Sequence, residues 1–107
     1  MNKDTLKNIL FSVKKQNILY RQHAVEMMIE RGIRREEVLQ CISDGNIIEE
    51  YSKDKPFPSY LFSSTSATRN IHVVLAFNEE DMVVYIITAY IPDLSRFDKD
   101  FRTRRKK

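Results

Sequence analysis

The sequence predicts an α+β domain in which two to three N-terminal helices pack on a C-terminal antiparallel sheet of three to four strands. Up to Gly45, the apolar residues recur every three to four positions, as on one face of a helix. After Gly45, Val, Ile, Tyr and Phe form short runs between turn residues, which is typical of strands. The chain has 107 residues, and this length suits one domain. We therefore predict a single domain over residues 1–101.

Three helices are predicted from the apolar spacing. Residues 4–15 follow the i, i+3, i+4, i+7 rule, and residues 23–31 and 34–43 have the same character. The two glycines of the chain, Gly32 and Gly45, each follow a predicted helix. Helices commonly end at a glycine because the terminal residue often adopts a left-handed conformation. The glycines therefore support the last two helices.

The strands begin after the third helix. Apolar runs at 47–48 and 60–62 bracket a turn over residues 53–58, in which two prolines prevent regular pairing. The earlier apolar segment Ile18-Leu19-Tyr20 is interpreted as a short connector between the first two helices.

A hairpin is predicted from residues 70–77 and 82–91, joined by an acidic four-residue turn. If Phe77 faces Met82, alternation makes one face apolar enough to be the core. That face comprises Ile71, Val73, Leu75, Phe77, Met82, Val84 and Ile86. The opposite face comprises Asn70, His72, Val74, Ala76, Val83, Tyr85, Ile87 and Ala89. This register places His72 about one diagonal from Tyr85.

The composition excludes several classes of protein. One cysteine, Cys41, cannot form an internal disulfide, and helical spacing indicates that it fills the core. No glycine-rich phosphate loop, metal-spaced Cys/His cluster or nucleophile elbow is present. No apolar run could span a bilayer, and the N-terminus lacks a signal-peptide pattern. We therefore expect a cytoplasmic protein with no cofactor, metal ion or membrane contact.

The positive charge is concentrated at the C-terminal end. The net charge is +3, but residues 102–107 alone have five basic side chains, so the rest of the chain is net −2. We predict that these residues form a flexible tail in which Arg102, Arg104 and Arg105 bind RNA through non-specific charge attraction. A solvated end with no binding role is the alternative.

The remaining polar residues suit metal-free cleavage of RNA. Attack by the 2′-hydroxyl needs a general base, a general acid and cations around the phosphorus. Histidine or tyrosine can serve as the acid or base, and the planar guanidinium of arginine matches phosphate oxygens. The predicted catalytic residues are His23, His72, Arg31, Arg69, Tyr51 and Tyr90.

Several of these residues have structural alternatives. His23 could cap a backbone group at the start of its helix, and His72 could be a hydrogen-bonded core residue. Arg31 precedes a helix end, where its charge favours the helix dipole, and Arg69 could blunt a sheet edge.

The turn with two prolines is a second candidate for RNA contact. Lys53 and Lys55 lie between the aromatic residues Tyr51, Phe57 and Tyr60. Aromatic rings can stack on bases while lysines contact phosphates, which predicts RNA binding by the two lysines. A turn that packs on itself is the alternative.

Four stretches of the sequence resemble a known family. They are His23-Ala24 with Arg31-Gly32-Ile33; Gly45-Asn46-Ile47-Ile48-Glu49-Glu50-Tyr51; Pro56-Phe57-Pro58-Ser59; and Ile71-His72-Val73-Val74 with Ile87-Thr88-Ala89-Tyr90-Ile91-Pro92-Asp93. In this order they resemble the bacterial domain-of-unknown-function 4258 family over about residues 18–102. Two departures are Ser63-Ser64, where a glycine is expected, and Phe97, where a tryptophan is common.

The resemblance implies a partner and an activity. Members of that family are often encoded beside a YgiT-type zinc-finger antitoxin. More distantly, the layout is similar to BrnT and to the RelE/ParE toxins, many of which cleave messenger RNA. By that analogy we expect a type II toxin that acts as a metal-independent endoribonuclease on RNA, including ribosome-bound mRNA. The alternative is a non-catalytic module that docks a protein or nucleic acid through its sheet face and basic tail. Either class could form a homodimer.

Overall fold

The computed structural model describes residues 3–66 and 69–92. The helices are α1 (Lys3–Lys14), α2 (Gln22–Arg31) and α3 (Arg35–Ser43). The strands are β1 (Ile18–Tyr20), β2 (Ile47–Tyr51), β3 (Ser59–Ser66), β4 (Arg69–Asn78) and β5 (Val83–Tyr90). The predicted α+β class and the three helices are confirmed, with helix ends within about one residue of those expected. The predicted C-terminal tail, 102–107, and Phe97 lie outside the described residues.

The sheet has five strands in the order β1-β5-β4-β3-β2. Neighbours pair antiparallel except β1, which runs parallel to β5. The predicted connector Ile18-Leu19-Tyr20 is therefore an edge strand, which adds a fifth, parallel strand to the three to four antiparallel strands that were expected. The other four strands pair antiparallel, as predicted. The three residues of β1 are too few to show a period, so only the pairing with β5 identifies it as a strand.

The hairpin of β4 and β5 pairs two residues away from the predicted register. Phe77 lies opposite Val84 instead of Met82, and Asn78 lies opposite Val83. The Asn78 side chain accepts a hydrogen bond from the backbone N–H of Asp81 (3.1 Å), and Met82 takes a left-handed conformation with φ 56°. The four-residue turn therefore lies at 79–82, one residue later than predicted, which changes the pairing by two residues. A shift of two preserves the side-chain alternation, so the predicted core face is confirmed through Ile86.

A β-bulge then changes which side chains face the core. Val74 pairs with Thr88 and Leu75 with Ile86, which leaves Ile87 as an extra residue in β5. Beyond the bulge, Ala89 faces the core and is fully buried, although it was predicted on the opposite face. Tyr90 now lies opposite His72.

All three helices pack on one face of the sheet. Apolar residues from each helix join those of the sheet in one cluster, with representatives Ile9, Ala24, Val38, Phe62 and Val73. Cys41 is fully buried in this cluster, and burial raises the pKa of its thiol to about 12. The thiol therefore fills the core, as predicted.

An ion pair between Arg69 of β4 and Glu37 of α3 connects the corner between α2 and α3 to the sheet. The guanidinium of Arg69 contacts both carboxylate oxygens of Glu37, at 2.8 and 3.2 Å, and donates to the carbonyl of Gly32 at 2.6 Å. Gly32 is the left-handed C-cap of α2, with φ 63°. The Arg69 hydrogen bonds lower the pKa of Glu37 most strongly, and burial opposes them. The carboxylate is thereby held in its charged form.

One departure from the family pattern has a local role. Ser64, which with Ser63 stands where a glycine was expected, donates a hydrogen bond to Asp44 at 2.5 Å. Asp44 is the C-terminal cap of α3, so this serine ties the helix end to β3.

Candidate functional site: an aromatic and charged cavity on the helix-free face

The face of the sheet that is opposite the helices, here called the helix-free face, contains an open cavity. Its volume is about 280 Å³. The turn between β2 and β3 closes one side, and side chains from β3, β4 and β5 form the floor. The lining residues are Arg21, Tyr51, Asp54, Lys55, Pro56, Phe57, Ser59, Val74, Ala76 and Ile87.

The β-strand register explains why these side chains converge. Tyr51 pairs with Ser59, and Ser59 pairs with Ala76, so the three residues form one row across β2, β3 and β4. Tyr85 pairs with Ala76 and continues the row onto β5. Paired residues share a face. The row is therefore a continuous strip of tyrosines separated by two small residues, and the small residues leave the space of the cavity.

Aromatic and cationic groups stack at one end of this row. The rings of Phe57 and Tyr85 are parallel, with an interplanar angle of 2° and centroids 5.7 Å apart. The guanidinium of Arg21 lies over the Tyr85 ring, 4.8 Å from its centroid. The proline-containing turn therefore packs on the sheet through Phe57. Stacked rings beside a guanidinium are the groups that bind bases and phosphates of single-stranded RNA.

Two hydroxyl groups that line the cavity donate hydrogen bonds to carboxylates. Tyr51 donates a hydrogen bond to the carboxylate of Glu49, and Ser59 donates one to the carboxylate of Asp54. Asp54 and Lys55 are exposed at the rim. The cavity thus combines carboxylate, phenol, ammonium and guanidinium groups, which can accept a proton, donate a proton and neutralise a phosphate.

His72 and Tyr90 form a separate pair on the same face. His72 Nδ1 lies 3.3 Å from the Tyr90 hydroxyl, and the rings meet edge to face with centroids 5.3 Å apart. His72 is fully buried. The predicted neighbour of His72 was Tyr85, but Tyr85 lies opposite Ala76, four residues further along β4. The displaced register and the bulge account for this error.

The other predicted site residues are divided between different places. His23 is exposed in the first turn of α2, and neither histidine lines the cavity. Arg31 is exposed at the end of α2 and contacts the sulfur of Met27 at 2.7 Å. Arg69 pairs with Glu37 at the same corner. The RNA-binding candidates in the turn, Lys53 and Lys55, are exposed. Those in the tail, Arg102, Arg104 and Arg105, lie outside the described residues.

Among the residues that line the cavity, Tyr51 and Lys55 were predicted as site residues from the sequence, whereas Arg21 and Asp54 were not. Arg21 follows the short strand β1, and nothing in its local sequence indicates that it reaches Tyr85. Asp54 had a signal, since it lies between two lysines in the turn next to Phe57. The missing information was the fold of that turn over the sheet.

Within the described ranges, 3–66 and 69–92, no group of three or more His, Cys, Asp or Glu side chains could hold a metal ion. Within the same ranges, no helix is both long and apolar enough to cross a membrane.

Fold and site together define a small α+β domain with one sheet face under three helices and an aromatic, charged cavity on the other. The chain belongs to the family described as Domain of unknown function (DUF4258), which matches residues 20–91. The resemblance predicted from the sequence motifs is thus confirmed. No curated protein and no solved structure matches the chain.

Proposed function

We propose that this chain is the toxin component of a type II toxin–antitoxin system and cleaves RNA without a metal ion. The cavity on the helix-free face is its RNA site. The observation that supports this most directly is the stack of Phe57, Tyr85 and Arg21 beside the exposed Asp54 and Lys55. Its proposed setting is the cytoplasm, where both messenger RNA and ribosomes are present.

The cavity has the groups needed for each proton transfer. Asp54 accepts the proton of the RNA 2′-hydroxyl, whose oxygen then attacks the adjacent phosphorus. The bond to the 5′-oxygen breaks, and Tyr51 donates a proton to that leaving oxygen. The products are a 2′,3′-cyclic phosphate and a free 5′-hydroxyl. Arg21 and Lys55 neutralise the charge that develops on the phosphate oxygens. Asp54 thus takes the role of base that was predicted for a histidine or a tyrosine from the sequence.

A non-catalytic RNA-binding module is the second candidate, and the placement of the histidines favours it. His72 is fully buried and His23 is outside the cavity. Stacking groups and cations suffice for binding without cleavage.

The test is cleavage of total RNA and of mRNA on translating ribosomes, in the presence of a chelator. The parent protein is expected to cut at least one of these substrates. Asp54→Asn should lower the cleavage rate by about 100-fold, because a general base contributes about 10² to 10⁴ in rate. Asp4→Asn is the matched control, since Asp4 is equally exposed but lies on α1. Its rate should equal that of the parent.

Binding separates the two candidates. If the parent protein binds RNA but cleaves it no faster than the Asp54→Asn variant does, the chain is a binding module and the ribonuclease proposal is refuted. If the Arg21→Gln, Phe57→Leu double variant binds RNA as tightly as the parent protein does, the cavity is not the RNA site under either proposal.

A further inference from the structure

The outer edge of the sheet at β1 is open. On its inner side, the Asn17 carbonyl accepts from the Val84 N–H at 3.0 Å, and the Arg21 N–H donates to the Ile86 carbonyl at 3.0 Å. Backbone groups alternate in direction along a strand. Ile18 and Tyr20 therefore direct their N–H and C=O groups outward, where no other strand of the described chain lies. Such an edge can pair with an added strand.

Two clefts lie beside this edge on the helix side. Tyr20 and Arg35 line both of them. One cleft has a volume of about 280 Å³ and continues along α2 past Val25 and Ile29. The other has a volume of about 320 Å³ and continues toward Val13 on α1. One cleft lies on each side of Tyr20. Alternate side chains of an extended strand point the same way, so two of them can enter the two clefts.

Apolar side chains stay exposed at the first cleft. Ile29 is 76% exposed and Val25 is 41% exposed. The two residues are one helical turn apart, so they form an apolar stripe on α2. At the centre, the buried hydroxyl of Tyr20 has no hydrogen-bond partner among the described residues. The Arg35 guanidinium lies 5.1 Å from the centre of the Tyr20 ring.

The charge around the β1 edge indicates which kind of partner can bind there, a second copy of the chain or a different segment. Residues 14–21 have three basic side chains and no acidic one, and Arg35 adds a fourth positive charge beside Tyr20. Glu36 is an acidic group that acts on Tyr20 from α3. A second copy of the chain would bring the same basic residues against this edge, and like charges oppose that pairing. An acidic segment is complementary to it.

We propose that β1 is a docking edge for an extended, acidic segment of a different protein, which adds a sixth strand to the sheet. Its backbone pairs with Ile18 and Tyr20, its apolar side chains enter the two clefts, and a carboxylate between them pairs with Arg35. Binding of this kind takes its affinity from backbone hydrogen bonds and its specificity from the side-chain pockets. The groups that would hold the segment, the backbone of Ile18 and Tyr20 and the Arg35 guanidinium, lie outside the RNA cavity, which shares only the charge of Arg21 with this edge. The inference therefore does not rest on the proposed function.

The experiment uses the full chain and a synthetic peptide with blocked ends. The peptide alternates threonine with leucine, and its middle leucine is replaced by glutamate; a matched peptide has lysine there. Amide hydrogen exchange by NMR is expected to slow by at least about tenfold at Ile18 and Tyr20 when the glutamate peptide is bound. Arg35→Gln should weaken its Kd by at least about tenfold, whereas Lys7→Gln, an equal loss of charge on exposed α1, should leave it unchanged.

Three outcomes would overturn the proposal. The first is no binding of the glutamate peptide at millimolar concentration by the folded parent chain. The second is equal binding of the lysine peptide. The third is a concentration-dependent dimer of the chain alone that protects the same two amides, because the occupant would then be a second copy. Thermal melting of Arg35→Gln verifies that the variant is folded, and retained affinity in a folded variant also contradicts the assigned role of Arg35.

Discussion

The two faces of the sheet differ in what their side chains do. On the helix-covered face, β4 presents Ile71, Val73, Leu75 and Phe77, each no more than 2% exposed. On the helix-free face, the same strand presents His72, Val74 and Ala76, beside aromatic and charged groups from other elements. One strand thus alternates between core residues and residues of the other face, of which Val74 and Ala76 line the cavity. Substitutions on the two faces should therefore separate stability from binding.

The largest effect is expected from truncating a ring on the helix-covered face. Phe62 is fully buried in the core cluster, so Phe62→Ala should lower the free energy of unfolding by about 3–5 kcal/mol. Phe57→Ala is the matched change on the helix-free face, where the ring is only half-buried. It should lower stability by about 1 kcal/mol while weakening RNA affinity. Urea denaturation measures both variants. Equal losses of stability would mean that the two faces do not differ as described.

An intermediate effect is expected at His72, which is buried but lies on the helix-free face. His72→Gln should destabilise the domain by about 1–3 kcal/mol, because it removes a buried ring from its contact with Tyr90. Tyr90→Phe removes only the hydroxyl, so it should cost less. Chemical denaturation and RNA cleavage are measured together at a temperature at which the variants are folded. A fully stable His72→Gln variant that has lost all cleavage would return His72 to the catalytic residues and contradict the cavity assignment.

The smallest effect is expected at the corner between α2 and α3, and it depends on pH. The pKa of Glu37 is lower in the folded state than in the unfolded chain. Its contribution to stability is therefore complete above the ordinary glutamate pKa, about 4.3, and is lost as the pH falls through the lowered folded value. Glu37→Gln should cost about 1 kcal/mol at pH 7, and the cost should shrink as the pH falls below about 4. Denaturation at several pH values checks this. A cost that is independent of pH would show that charge at Glu37 contributes nothing.

Much of the fold was predictable because its signals are local. Apolar spacing identified the helices, and Gly32 marked the end of α2 by a conformation that glycine adopts most readily. Alternation identified the core residues of β4 even though the pairing was wrong by two residues. The parallel strand β1 was missed because three residues have no period of their own, and its partner β5 lies more than sixty positions away in the sequence.

The candidate site was less predictable because its residues come together only through tertiary contacts. Tyr51 and Lys55 were identified by residue type, and the structure places both at the cavity. Arg21 and Tyr85 meet because β1 pairs with β5, which local sequence does not encode. Arg69 has the residue type of a phosphate ligand, yet its guanidinium is occupied by Glu37 and the Gly32 carbonyl. Residue type indicates what a side chain can do, and only its neighbours decide what it does.

The extra residue Ile87 reverses, for the rest of β5, which alternate residues face the helices. Up to Ile86, even-numbered residues face the helices; after Ile87, the odd-numbered Ala89 does so and Tyr90 turns to His72. If Ile87 instead paired regularly with Val74, alternation would be uniform and Tyr90 would lie opposite Ile71 and face the helices, so the pair with His72 would disappear although both residues were retained. The bulge thus decides which aromatic group meets the buried histidine.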